Sequence, residues 1–327
     1  MSEVMHRKLF IGDNHIDNIT PSSRCDNYME ACLTELQESL DIAKKYNCES
    51  VIFLGDVFHR IEVSALCRNA VINILRSDSN GDPWPFRKLV CVGNHDIDHN
   101  MQNLKKSTLG TLLEDGSLEM VEEAPELGIY FGHFRNSLVN EIKSGILQKT
   151  EMPIVVVHTS IVLAPYYGDY VIFDEMPLAE KTKFVIAGHI HFPMESSRKD
   201  GKIFINPGNV GRERATQENM SRVPQVLLLE HNDDCSKYRQ KYITLMKSAH
   251  QDEIFRVEQI KEKKQASLDK KEYVKRVTQI ATWDDIEDKY DSLRAAGKIK
   301  QIDGEIIELA VDAVKVVNDE KMKKKST

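Results

Sequence analysis

The chain has 327 residues, a net charge of −7, 41% hydrophobic and 29% charged side chains, which allows one large domain or two of roughly 100–200 residues each and excludes wholesale disorder. No window approaches the roughly 18 consecutive apolar residues of a membrane-spanning helix, and the first ten residues lack the apolar core of a secretory signal. The six cysteines include no CxxC pair, so a disulfide framework and a zinc knuckle are excluded and a reduced, cytoplasmic protein is expected.

Charge is unevenly distributed. Residues 251–327 carry 17 basic and 17 acidic side chains, so the whole −7 sits in the first 250, with 27 basic and 34 acidic. A passive nucleic-acid binder usually has a basic balance; an acidic body can instead supply carboxylates to cations.

In chain order, Lys8–Ile11 reads as a buried strand and Asn27–Tyr46 as an amphipathic helix, with Met29, Leu33, Leu36, Leu40 and Ala43 at three- and four-residue steps. Ser50–Leu54 reads as a second strand, Val63–Leu75 as a helix, and Lys88–Val92 as a third strand. Further strands are expected at Ile129–Gly132, Ile154–His158, Phe184–Ala187, Lys202–Ile205, Val226–Leu229 and Tyr238–Leu245. Such alternation predicts an α/β domain over residues 1–250, with ligands bound just past the strand carboxyl ends. Residues 251–277 read as a charged linker or solvated helix. Residues 278–327 hold two apolar seams, one of Trp283, Ile286, Tyr290 and Leu293, the other of Ile306, Leu309, Ala313 and Val317, and end in a basic tail.

Five clusters each follow an apolar run: Asp13-Asn14-His15, Gly55-Asp56-Val57-Phe58-His59, Gly93-Asn94-His95-Asp96, Val157-His158-Thr159 and Gly188-His189-Ile190-His191. Alternate residues of an extended segment point to one side, so Asp-x-His and His-x-His can each face one cation. Oxygen with imidazole, and no thiolate, suits manganese, iron or zinc better than calcium or magnesium alone. Any one cluster is more often a turn or a cap than a ligand set. All five in this order point to a metal centre, and a metal pair can clamp the attacking and leaving oxygens of a phosphoester. His6, His99, His133, His231 and His250 lack such neighbours and read as structural or surface residues.

The series Asp-x-His, GD-x-x-H, GNHD, a strand-end His and GHxH, spanning residues 13 to 191, resembles the calcineurin-like metallophosphoesterase superfamily. The resemblance implies a two-layer β-sandwich flanked by helices, with two divalent metals at one edge. Manganese is the first expectation, with magnesium, iron or zinc as alternatives. It implies one metal held by Asp13, His15, Asp56 and His191 and another by Asp56, Asn94, His158 and His189, with Asp56 bridging. It also implies His95 as general acid or transition-state stabiliser, oriented by Asp96.

Within that superfamily GDVFHR at 55–60, and VVVHTS followed by GHIH, are similar to SbcD-like nucleases and the nuclease subunits of double-strand-break repair complexes, phage recombination endonucleases included. That similarity implies a DNA exo- or endonuclease, with His59 supporting catalysis and the helices beyond the catalytic domain gripping an SbcC-like coiled-coil ATPase. A homodimer is a further option. For a viral chain the compartment would be the host cytoplasm. Asn209, in an Asn-Pro-Gly-Asn loop, and Arg212 and Arg214 beyond it are expected to contact the substrate backbone. The alternative is a phosphodiesterase or phosphatase acting on a small molecule or phosphoprotein. A non-enzymatic scaffold is disfavoured, because every ligand position is filled by a competent residue.

Overall fold

The computed structural model describes residues 5–97, 101–165 and 167–256. The chain divides into two units, Met1–Phe255 and Arg256–Thr327. The two apolar seams expected at 278–327, and residues 257–277 of the charged segment, lie outside the described residues.

The first half runs β1 (His6–Ile11), α1 (Tyr28–Lys45), β2 (Ser50–Phe53), α2 (Ala65–Arg76), β3 (Arg87–Val90) and α3 (Thr108–Glu114). The second half continues with β4 (Glu123–Ala124), β5 (Ile129–Gly132), α4 (Leu138–Lys143), β6 (Ile154–His158), β7 (Ile161–Val162), β8 (Val171–Ile172) and β9 (Phe184–Gly188). Then come β10 (Met194–Ser197), β11 (Ile203–Asn206), α5 (Gln217–Ser221), β12 (Gln225–His231), β13 (Tyr238–Thr244) and α6 (Gln251–Ile254). Helix starts are set by short polar side chains. Asn27, Ser64 and Ser107 each accept a hydrogen bond from a first-turn amide of α1, α2 and α3, satisfying donors that the helix itself leaves unpaired.

Two sheets form the body. One has the order β13-β12-β1-β2-β3, the other β10-β11-β9-β6-β5-β4, and β7 pairs separately with β8. In the first sheet β1, β2 and β3 are parallel; in the second β5, β6, β9 and β11 are. The sheets pack face to face through Phe10, Ile52 and Leu89 on one side and Phe131, Ile154, Val156, Ile186 and Ile205 on the other. Their alternates face outward under helices. Leu9, Val51, Phe53 and Val90 meet Leu36, Leu40, Val71 and Leu75, while Val155, Val157 and Val185 meet Leu138 and Ile142. Side chains buried on both faces are why these strands read as unbroken apolar runs. The fold is the expected α/β one, a two-layer β-sandwich flanked by helices.

The body reaches Phe255, five residues beyond the expected boundary at 250. Ile254 and Phe255 are buried, the Cys25 amide donates to the Ile254 carbonyl at 2.9 Å, and the Arg24 guanidinium lies over the Phe255 ring. All six cysteines are free thiols. Among the described residues no helix is long and apolar enough to cross a membrane.

Candidate metal centre and active site

Strand register brings the clusters together. Ile11 pairs with Phe53 and Phe53 with Val90, so the segments beginning at Gly12, Leu54 and Cys91 leave one sheet edge side by side. In the other sheet His158 pairs with Gly188, which sets His158 beside the turn to His189. The turns are tight. His15, Asp56 and His189 have φ of 49°, 47° and 84°, left-handed values that cost a non-glycine residue energy and persist only when the surroundings enforce them. Here the Asp56 carbonyl accepts from the amides of Asn14 and His15 at 3.1 and 2.9 Å. A Cβ on Gly93 would lie 2.1 Å from Asp56 Oδ1, so glycine is the residue that lets the third loop close on that carboxylate.

Two donor groups combine carboxylate with imidazole: Asp13, His15 and His191 converge within 4.8 Å, as do Asp56, His158 and His189, while a third group, His15, His59 and His95, is of imidazoles alone. His15 Nε2 and His191 Nε2 are 2.9 Å apart, and Asp13 Oδ2 lies 3.6 Å from His191 Nε2. Asp56 Oδ2 lies 3.3 Å from His158 Nε2 and 3.8 Å from His15 Nε2, between the groups. Asn94 Oδ1 lies 3.2 Å from His158 Nε2 and 2.8 Å from His189 Nδ1. The other nitrogen of His158 contacts the Leu54 carbonyl at 2.7 Å, so Nδ1 carries a proton toward that carbonyl and Nε2 is the atom turned to Asp56 and Asn94.

The electrostatics favour a cation here. Burial pushes His15 down to about 3 and His189 to about 4, and it lowers His191, so these rings are neutral lone-pair donors at pH 7. Burial and then the nearby Asp56 charge raise Asp13 to about 8 and Asp96 to about 7. Burial opposes the charged form of both His158 and Asp56. Their mutual attraction overcomes it, holding His158 up at about 10 and Asp56 well below the usual carboxylate range. Buried carboxylates beside the neutral rings of His15, His189 and His191 attract divalent cations, whose charge offsets that of the carboxylates. His15 Nδ1 is buried with no hydrogen-bond partner among the described residues. The donor set fits two oxygen- and nitrogen-bound metal ions.

His95 lies against this edge. Its amide donates to Asp56 Oδ1 at 2.8 Å, and its Nδ1 lies 2.7 Å from the carbonyl of His59, so Nδ1 carries the proton toward His59. Its ring stacks on that of His59 at 5.2 Å. A cavity of about 380 Å³ opens in front, lined by His95, His189, His191, Glu213 and Arg214 among others.

Three expectations change. Asp96 does not orient His95: its carboxylate accepts from the amides of Asp56 and Gly93 at 3.0 and 2.9 Å, so it braces the turn that carries Asp56. Asn209 is buried, and its side chain is held by Arg222 and by the Gly211 carbonyl, so it is a loop clamp rather than a substrate contact. Arg212 is also buried, with its guanidinium on Ser248 Oγ at 2.7 Å and the Ala249 carbonyl at 2.6 Å. Arg214 alone of the three faces the cavity, its side chain 77% exposed.

Glu213 is a site residue that the sequence reading passes over, since a charged Gly-Arg-Glu-Arg loop looks solvated. Its side chain is only 6% exposed and its Oε2 lies 2.7 Å from His59 Nδ1. Burial opposes its charge, but the His59 contact and the neighbouring imidazoles bring it down to about 2, while Glu213 raises His59. Of the other histidines, His133 is buried between the Val92 amide and the Val121 carbonyl. His6 pairs with Glu49 and Asp233, His231 is buried beside Cys235, His250 is exposed, and His99 lies outside the described residues.

The model of the calcineurin-like phosphoesterase superfamily domain matches residues 7–233. Solved structures similar to this chain include a dimetal phosphatase from Danio rerio, at 12% identity over 73% of this chain and 99% of that one, TM-score 0.41. Another is a predicted phosphoesterase from Streptococcus pneumoniae, at 13% identity over 74% and 100%, TM-score 0.32. A third is the NAD nucleotidase of Haemophilus influenzae, at 12% identity over 74% of this chain and 50% of that one, TM-score 0.38. No curated protein matches the chain.

Proposed function

The chain belongs to the calcineurin-like phosphoesterase superfamily, and from that premise we propose that it hydrolyses phosphodiesters in DNA as a nuclease subunit of an SbcCD-like recombination or repair complex. Asp13, His15 and His191 would hold one divalent metal and Asn94, His158 and His189 the other, with Asp56 shared. Two such ions, when bound, activate the attacking water and stabilise the charge that develops on the phosphoryl oxygens. Manganese suits the mixed oxygen and imidazole donors.

The observation that carries the reading is the placement of His95. Its amide is tied to Asp56 Oδ1 and its Nδ1 to the His59 carbonyl, so the ring is locked at the metal edge with Nε2 left for the substrate. A ring so held delivers a proton to a leaving alkoxide oxygen, the task that an unactivated phosphodiester demands. Arg214, which lines the cavity, would meet a phosphate of the backbone. The nuclease assignment draws further support from the GDVFHR segment, whose His59 stacks on His95. The seams beyond residue 278 would dock an amphipathic helix on the coiled-coil base of a partner ATPase.

The test offers manganese-loaded protein a linear DNA duplex, a single-stranded DNA circle and a chromogenic phosphodiester side by side. Cleavage of DNA is expected. Hydrolysis of the chromogenic ester alone would move the assignment to a small-molecule phosphodiesterase.

A further inference from the structure

Glu213 belongs to none of the three donor groups, yet it is a buried carboxylate facing the reaction cavity between one buried and one exposed arginine. A carboxylate taken out of water persists where it has a charged partner. Its contacts are Arg214 Nε, at 3.3 Å from Oε1, and His59 Nδ1, at 2.7 Å from Oε2. His59 in turn touches His95 twice, through its carbonyl at 2.7 Å and through ring stacking with an interplanar angle of 27°. The His59 backbone is pinned as well, its amide donating to the Ile16 carbonyl at 3.1 Å. The His59 ring is held by its stacking on His95 and by the close ionic approach of Glu213 Oε2 to its Nδ1.

We propose that Glu213 is a positioning residue for proton delivery, holding the His59 ring as the surface against which His95 is aligned. The proposal rests on the phosphodiesterase reading. In that reaction the water oxygen bonds to phosphorus, the ester P–O bond breaks, and the leaving oxygen takes the proton carried on His95 Nε2. A water proton passes to solvent, from which His95 is recharged. Without Glu213 the His59 ring turns away, and His95 loses the face that fixes its approach to the leaving oxygen. Proton delivery then suffers more than substrate binding does.

Leaving groups separate this role from a merely structural one. An alkoxide needs the proton, whereas p-nitrophenolate leaves largely without it. The substrates are a thymidine dinucleotide and the p-nitrophenyl ester of thymidine 5′-phosphate, measured with the full chain and manganese. Glu213→Ala is expected to lower kcat on the dinucleotide by about 10–100-fold, within the range of general-acid effects, with KM little changed. The loss on the aryl ester should be several-fold smaller. Glu213→Gln, which keeps the reach and an acceptor oxygen, should recover most of the activity. The Glu213→Ala, His59→Ala double variant should be no slower than His59→Ala alone, since both act through one ring. Metal content by elemental analysis should match wild type throughout. Equal losses on both substrates, or loss of metal in Glu213→Ala, would overturn the proposal. If wild type cleaves the dinucleotide but not DNA, the nuclease reading fails while the Glu213 comparison stays readable.

Discussion

His15 and His191 stand 176 positions apart in the chain, yet their Nε2 atoms are 2.9 Å from each other. Burial keeps both rings neutral, so the pair presents imidazole nitrogens converging beside Asp13. Such convergence is how a protein holds a transition-metal ion. From it comes a prediction that separates ligands from proton donor. His191→Ala and Asp56→Asn should each lose bound metal, whereas His95→Ala should keep it and turn over about 10²–10⁴-fold more slowly. Elemental analysis beside activity distinguishes the classes. A metal-free His95→Ala protein would contradict the assignment.

A glycine offers a test that removes no donor side chain. In Gly93→Ala the new methyl would press on Asp56 Oδ1 and on the Asp56 amide, 2.1 and 2.4 Å from the ideal Cβ. The carboxylate shared between the two groups must move. Metal affinity should fall at least about tenfold, by analogy with the loss of a partner that orients a ligand, while circular dichroism stays unchanged. Undiminished manganese binding, measured by calorimetry, would show that the loop adapts.

Two neighbouring arginines should behave oppositely. Arg214→Ala removes an exposed cation from the cavity and should raise KM for a phosphodiester without lowering the melting temperature. Arg212→Ala should destabilise the fold by about 1–3 kcal/mol, because Ser248 Oγ and the Ala249 carbonyl lose their buried donor. Its KM should stay near wild type. Urea titration and steady-state kinetics on the same preparations decide the matter.

His133 makes the fold sensitive to acid. Buried with Nδ1 accepting from the Val92 amide, it is pushed down to about 4, against about 6.5 in an unfolded chain. Its neutral form therefore contributes stability that is complete above pH 6.5 and is lost as pH falls toward 4. The loss between pH 7.5 and pH 5 should be on the order of 2 kcal/mol. His133→Gln should flatten the dependence of unfolding free energy on pH by that amount. An unchanged slope would mean that other groups carry the acid sensitivity.

The C-terminal seams carry a prediction of another kind. Deleting residues 278–327 should leave a folded, metal-loaded protein that cleaves simple phosphodiesters but no longer co-purifies with a coiled-coil ATPase. Aggregation of the shortened chain would instead show that the fold needs residues 278–327.

The sequence by itself determined the parts of this protein that depend on local order. Apolar runs such as Ile154–His158 are strands because both faces are buried, and the donor types follow those runs directly, so cluster and strand are read together. Boundaries fell within a residue or two for α1 and β2, where a cap or a turn residue marks the end. The strands β4, β7, β8 and β10 left no such mark, because the first three have only two residues each and β10, Met194–Ser197, is polar rather than an apolar run. Only the tertiary structure decided what each polar side chain faces. Asp96 is adjacent to His95 in sequence, but backbone amides of the Asp56 turn take its carboxylate. Arg212 and Arg214 are two residues apart and look equivalent, yet one is enclosed and the other lines the cavity. Glu213, between them, reaches His59 across more than 150 positions of chain. A side chain's partner depends on which segments the sheets bring together, and in an irregular loop no periodicity encodes that choice.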